Sequence, residues 1–466
     1  MTKLRFRFYG IRFSVPMAAM LLLVAWQLLP GARATAQAVP AGSGDTNPED
    51  QPLPGQDLGS SLTLNQGVNA IGAENESFER YGLGLAASGG EVTNFLGSQT
   101  NKQNAAFIQF NASGGLKLQS SRTRYYALYQ PQYYIYPQYT NVNNFSQSFF
   151  QSVDHSFSDH TVMSWGTTAA RYLSLSEFLP QNLGIGGIGV IVPTPGQELL
   201  DNSFELTNAA TNLSLRHLMS AKMTFTATVT GAYFMEVPTF VVGEEVIFPA
   251  QRFLTLGADV RLEYQWRPRD AVGVAATPIY VDGLKGEGHQ SAETVQGTYQ
   301  RQLTSTLSAS VGAGPLFIQS SSSGFGSVHD NSYALTASIS RQLRQSQFSA
   351  AYSRALLVNL LEPAAVTNTF SGSAYLPEGN HWIFSGAASY THNAASSLYG
   401  AGHVYGGSAQ ASYQLTTQMQ LFARYSLISQ TYTFGTPQQS NGFTRNQFGG
   451  GIRFNLGNAI THGGLQ

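Results

Sequence analysis

Cysteine is absent from the 466 residues, and charge is scarce: Asp, Glu, Lys and Arg together make 11%. The first absence removes disulfides, thiol catalysis, cysteine metal sites and the lipidated cysteine of a lipoprotein anchor. The second fits a soluble fold poorly, since typical soluble proteins carry about 25% charged residues. Apolar content is ordinary at 42%, so Gly, Ser, Thr, Asn and Gln fill the gap. A membrane barrel tolerates such a composition, because one face of its wall meets lipid and the other an enclosed polar lumen. The net charge of −1 supplies no field to recruit nucleic acid. No basic patch is interleaved with aromatics, and nucleic acid is set aside as a partner. Long apolar runs are missing too. The one candidate, Ala18–Leu29, is shorter than the ~18 residues a spanning helix needs. Any later membrane span must therefore be β.

The N-terminus has the order of a secretory signal peptide. Lys3, Arg5, Arg7 and Arg12 form a basic region, Ala18–Leu29 the apolar region, and Pro30-Gly31 a helix break. Ala34-Thr35-Ala36 offers a cleavage site, with Ala38 as the alternative and a retained anchor as the competing reading. A signal peptide is predicted over 1–36. A Pro-, Gly- and Asp-rich stretch without apolar period predicts a disordered periplasmic linker over 37–77. The barrel is expected over 78–457, and a C-terminal tail over 458–466.

Beyond Glu79 the apolar residues alternate. In "RFLTLGADVRLEYQWR", Leu254, Leu256, Ala258, Val260, Leu262, Tyr264 and Trp266 share one face. Asp259, Arg261, Glu263 and Arg267 share the other. "FTRNQFGGGIRFNL" repeats this with Phe448, Ile452 and Phe454 against Arg445, Gln447 and Arg453. Tight breaks, at Gln119–Arg122, Phe157–His160, Met219–Lys222, Arg267–Asp270 and onward, alternate with longer ones at Gly90–Gln103, Ser176–Asp201, Pro238–Pro249, Ser320–Asp330 and Gly435–Asn441. Short periplasmic turns and long external loops characterise outer-membrane barrels. The prediction is an all-β chain: a transmembrane antiparallel up-and-down β-barrel of about 18 strands, with 16 the alternative count. Both termini would lie in the periplasm. A β-propeller would show a sharper blade motif, and neither it nor a sandwich would set charges opposite a uniformly apolar face.

"RTRYYALYQPQYYIYPQY", Arg122–Tyr139, is rich in tyrosine. From Tyr125 to Tyr134 the strand climbs roughly 23 Å at ~3.3 Å rise and ~40° tilt, close to the ~25 Å apolar band of such barrels. Tyr125 and Tyr133 then belong to the lower and upper aromatic girdles, rings in the acyl boundary and hydroxyls in water. The even face, with Arg122, Arg124, Tyr126, Tyr134 and Tyr136, looks inward. Those tyrosines suit either a sliding surface for sugars or packing within the wall. Pro131, lacking an N–H, predicts a bulge.

Sixteen arginines follow Gln37, against four lysines. Arg122, Arg124, Tyr126, Asp259, Arg261, Glu263, Arg424, Arg445 and Arg453 are the predicted pore-lining residues, where charge selects solutes. A bracing ion-pair network is the alternative, and the two are compatible. The longest connection, Ser176–Asp201, contains "LGIGGIGVIVP", too apolar to stay solvated. Folding inward would place Leu183, Ile185, Ile188, Val190 and Ile191 at a constriction; packing at the rim is the alternative. Its "GIGGIG" matches G-x-G-x-x-G without the strand, helix or acidic residue of a dinucleotide site. The histidines form no H-E-x-x-H, and no nucleophile–base signature stands out. No metal, cofactor or catalytic residue is expected.

The segment "RYGLGLAASGGEVTNFLG", through "GGLKLQSSRTRYYALYQPQYYIYPQY", to "SVDHSFSDHTVMSWGTTAARYLS" resembles outer-membrane β-barrel porins of the type associated with exopolysaccharide export. The resemblance covers about 80–175 and rests on a Gly-rich strand, the pair Asn94-Phe95 and an R-x-R-Y strand pair. It implies a porin-like channel for polar solutes, with saccharide or exopolysaccharide export as the context. A structural or surface-interaction barrel with a plugged lumen is the other class. Expected partners are outer-membrane lipid and lipopolysaccharide, the barrel assembly machinery and a saccharide. The ending "GNAITHGGLQ" departs from the terminal aromatic of many barrels.

Overall fold

The computed structural model describes Tyr81–Gly457, apart from 95–102, 141–142, 174–181, 186–187, 192–202, 241–250, 285–287, 323–325, 344–345, 357–365, 380, 394–398 and 435–438. It also describes a short hairpin, Arg5–Phe8 with Ile11–Ser14. Apart from that hairpin, the expected signal peptide, the linker and the C-terminal tail lie outside the described residues.

Eighteen antiparallel strands close into one barrel. In chain order they are β1 (Tyr81–Thr93), β2 (Ala105–Gln119), β3 (Thr123–Ile135), β4 (Asn144–Ser158), β5 (Thr161–Leu173) and β6 (Ser203–Ser220). Next come β7 (Met223–Phe240), β8 (Gln251–Arg267), β9 (Asp270–Gly283), β10 (Gly288–Gln302), β11 (Leu307–Ser322) and β12 (Gly326–Gln342). The last six are β13 (Gln347–Leu356), β14 (Val366–Glu378), β15 (Trp382–Asn393), β16 (Tyr399–Gln414), β17 (Met419–Phe434) and β18 (Gln439–Gly457). Every strand pairs with its neighbour in sequence, and β18 pairs with β1 from Asn446↔Thr93 to Gly457↔Gly82. Closure removes both sheet edges, which a strand in lipid cannot leave unpaired. No helix among the described residues is long and apolar enough to cross a membrane.

The wall's two faces are unlike. Nearly all large exposed apolar side chains lie on one face: Leu83 and Leu85, Ile108 and Phe110, Leu213 and Leu215, Val272 and Val274, Leu421 and Phe454. That face is the outside. The other face is concave: Arg424 on β17 hydrogen-bonds Gln109 on β2 across the two intervening strands. Only side chains converging inside a closed wall make such a contact. An apolar exterior with a polar interior is the arrangement of a barrel in a membrane.

Strands begin and end where turn chemistry permits. Asp159-His160, Ala221-Lys222 and Pro268-Arg269 make tight turns at one end, with register shifts beside Ser158, Ser220 and Arg267. Three expectations need correction. Gly435–Asn441 is not a long loop: β17 runs to Phe434 and β18 starts at Gln439, the two paired with each other. Ser320–Asp330 is not a long loop: β11 runs to Ser322 and β12 starts at Gly326, so the alternation continues almost to the tip. Pro131 makes no bulge. Its strand keeps one register with β4 through Gln130↔Ser148, Pro131↔Gln147 and Gln132↔Ser146. Toward β2 pairing stops after Asn111↔Gln132 and resumes in the same register at Gly114↔Tyr129. The missing N–H thus interrupts one ladder locally without shifting it.

Candidate functional site

The candidate site is the inner wall. From β11 to β16 its described positions are almost free of charge, Asp330 near the β11–β12 tip excepted. Hydroxyl pairs run along it: Ser308 with Ser340 and Ser310 with Ser338 at 2.8 Å, Ser349 with Ser373 at 2.7 Å, and Thr369 with Thr391 at 3.3 Å. Gln290 and Thr294 on β10 and Gln410 and Ser412 on β16 extend the amide and hydroxyl surface. This wall offers donors and acceptors without a fixed charge.

Charge is gathered in two places. On β8, Arg261 sits between Asp259 at 3.7 Å and Glu263 at 3.9 Å. Thr277 on β9 donates to Asp259 at 2.9 Å. Period-two alternation puts all three β8 residues on one face, as the sequence predicts. The second place spans β17, β18 and β1–β3. Arg424 donates to Gln109 at 2.6 Å, Gln109 donates to the Tyr134 hydroxyl at 2.7 Å, and Ser88 donates to Gln109 at 3.3 Å. Arg445 donates through Nε to the Asn94 carbonyl at 3.2 Å and lies 5.2 Å from the Phe443 ring. Arg453 lies 5.8 Å from the Phe422 ring. These three arginines are under 10% exposed: they face inward but are bound into the wall. Arg124 is exposed and Tyr126 half-buried, its ring 5.6 Å from Phe150. Arg122 lies in the turn before Thr123, exposed, where the tight β2–β3 connection ends the wall. The described inward charges are mainly basic, with Lys117 and Arg216 joining those named and Asp154 opposing them.

At the long-loop end an apolar cluster fills one side of the mouth: Val92, Phe107, Tyr134, Tyr136, Val404, Ile428 and Phe443. Tyr134 and Tyr136 are 3% and 1% exposed, their rings stacked at 6.2 Å. They pack within the wall, so no sugar track passes over them. Burial and the neighbouring Tyr134 hold the Tyr136 hydroxyl well above the usual phenol range. Asn94 is marked in the sequence only by its place in a motif. It closes β1 with φ 50°, is 3% exposed and donates to the Thr444 carbonyl at 3.1 Å, while its own N–H donates to Asn104. Asparagine tolerates this left-handed backbone better than other side chains do. It thereby fixes the start of the β1–β2 connection against β18.

The long β5–β6 connection contains a hairpin, Asn182–Ile185 paired with Ile188–Ile191. This covers Leu183, Ile185, Ile188, Val190 and Ile191. Its second strand contacts β13, the seventh strand on from β6 round the eighteen-strand ring. A segment anchored between β5 and β6 thus touches a strand well away from its own part of the wall. The alternative gate, Pro238–Pro249, lies mostly outside the described residues. Among the described residues no group of three or more His, Asp or Glu is placed to hold a metal ion.

The sequence matches no family model and no curated protein. Solved barrels are similar in outline. The FrpB iron transporter of Neisseria meningitidis (F5-1 variant) aligns over 81% of this chain and 82% of its own, at 10% identity and a TM-score of 0.41. OccK2 (OpdF) of Pseudomonas aeruginosa aligns over 81% and 98%, at 12% identity and 0.41. The ferric-catecholate import receptor Fiu of E. coli, in its open form, aligns over 82% of each chain at 10% and 0.41. The chain's own strand order and apolar exterior carry the conclusion: it is a closed, eighteen-stranded β-barrel of the outer-membrane type.

Proposed function

We propose that the barrel is a porin-like channel for polar solutes of the saccharide class, narrowed by the hairpin of the β5–β6 connection. The inner wall carries this reading. From β11 to β16 it presents hydroxyls and amides in place of charges, the complement of a neutral, many-hydroxyl solute. Barrels of 16–18 strands leave an aqueous lumen. Export of an exopolysaccharide is the context implied by the sequence resemblance at residues 80–175. With short turns in the periplasm, the hairpin lies toward the outside of the cell. A plugged barrel acting through its loops is the competing reading, and the same hairpin favours it. Swelling of liposomes containing the purified chain separates them. A channel admits mono- and disaccharides at rates that fall with solute size. A plugged barrel gives the rate of empty liposomes for every sugar.

A further inference from the structure

The outward face of β13–β16 carries three rungs, each in direct cross-strand register. The uppermost, toward the long loops, is Arg354↔Asn368↔His392↔His403. The next is Tyr352↔Phe370↔Tyr390↔Tyr405, and below it Ala350↔Gly372↔Ala388↔Gly407. Guanidinium, amide and imidazole groups thus stand over a ring ledge, and the ledge over a trough of alanine and glycine. Successive rungs lie about 5 Å apart in height at ~3.3 Å rise and ~40° tilt.

The ledge is continuous: Tyr352 and Phe370 lie 4.6 Å apart, Phe370 and Tyr390 6.3 Å, and Tyr390 and Tyr405 4.9 Å. Phe370 and Tyr405 are about half exposed, at 52% and 49%. Aromatic rings of this kind mark the boundary between acyl chains and headgroups. The rung above them therefore stands at headgroup height, and its side chains are oriented. Asn368 Oδ1 accepts from Tyr352 at 2.9 Å and Arg354 at 3.1 Å, which turns its amide N–H groups away from both. Arg354 also donates to Ser332 at 3.3 Å and lies 4.3 Å over the Tyr333 ring. The Tyr390 hydroxyl and His403 Nδ1 share a hydrogen bond at 2.9 Å, which fixes the His403 ring over the ledge. His392 stacks on His403 at 4.7 Å. Arg354 Nε and His392 Nδ1 are buried polar atoms without a hydrogen-bond partner. The rung contains no carboxylate. A membrane wall that places an arginine and two histidines side by side, fixed by neighbours and unopposed by acid among the described residues, is complementary to an anion at headgroup level.

The trough accounts for the rest of such a ligand. A shallow groove of about 550 Å³ runs over Ala350, Gly372, Ala374, Gly386 and Ala388, with Phe348 at its lower edge. These small side chains let a hydrocarbon chain lie against the strands beneath the ledge.

We propose that this face binds one phosphorylated glycolipid of the outer leaflet, its phosphoryl group on the Arg354–His403 rung and an acyl chain in the Gly372 trough. This rests on the long loops facing out of the cell; it stands whether or not the barrel conducts. The test is native mass spectrometry of the full chain in detergent with three probes: bis-phosphorylated lipid A, the same lipid dephosphorylated, and inorganic phosphate. The expected result is one retained lipid A. Retention should fall about tenfold or more in R354Q/H392Q, the scale of losing charge-assisted hydrogen bonds. It should also fall in Gly372→Leu, which fills the trough and leaves the polar rung intact. Heat-modifiable mobility confirms that each variant is folded. If R354Q/H392Q does not assemble, the Gly372→Leu comparison decides. Equal retention of the dephosphorylated lipid would show an acyl belt only, and equal retention of inorganic phosphate a soluble-anion site. Unchanged retention in folded variants, or a dimer that covers this face without lipid, would overturn the proposal.

Discussion

At the scale of the residue, the buried arginines decide how the wall holds together. Arg424 is 7% exposed and depends on Gln109 for its short hydrogen bond. Gln109→Leu removes that acceptor and leaves a buried charge short of a partner. The expected cost is about 1.5–3 kcal/mol, read as a lower unfolding midpoint in denaturant with the protein in lipid. A shift worth under about 0.5 kcal/mol, the size of an ordinary surface substitution, would mean that water replaces the amide. A second case concerns space. At Gly449 a Cβ would meet Phe107 Cζ at 3.0 Å and the Gly89 carbonyl at 3.3 Å. Gly449→Leu should destabilise by about 1–3 kcal/mol, with part of the loss recovered in combination with Phe107→Ala. Strict additivity would show that the ring is not what fills that space. Alternation identified Arg424, Arg445 and Arg453 as inward, because period two is written in the sequence. That they are bound into the wall was not legible. Their partners Gln109 and Asn94 come from strands more than 300 residues away, and no local pattern records that register.

At the scale of the element, strands were read more accurately than their connections. Charges such as Asp259, Arg261 and Glu263 fell on one face because a strand allows nothing else. Ser320–Asp330 was misread because serines and glycines look alike in a loop and in a small-residue hairpin. At Pro131 the proline's missing donor was recognised correctly, yet its two β-neighbours hold the register. The hairpin of the β5–β6 connection is the element with most bearing on transport. Deleting Leu183–Pro193 should raise single-channel conductance and admit larger sugars, provided the variant keeps its heat-modifiable mobility. Conductance equal to that of the full chain would place the hairpin over the rim and send the search for a gate to Pro238–Pro249.

The whole molecule joins an apolar exterior, a hydroxyl- and amide-lined interior and a hairpin that touches β13. Scarcity of charge made the first two legible from composition. Strand number followed from counting turns, since antiparallel closure with both ends on one side requires an even number. The lumen's charge balance was not legible until the faces were assigned. The inward charges lean basic only through the three buried arginines, since Lys117, Arg124, Arg216 and Arg261 are matched by Asp154, Asp259, Glu263 and Asp330. Such a field should give a modest preference for anions over cations that weakens as salt screens it. Planar-bilayer recording of the purified full chain is the most direct test. Steady open steps are expected, with a reversal potential displaced toward the anion in a salt gradient and current reduced by added oligosaccharide. Silence from folded full-length chain and from folded chain lacking Leu183–Pro193 would contradict the channel reading.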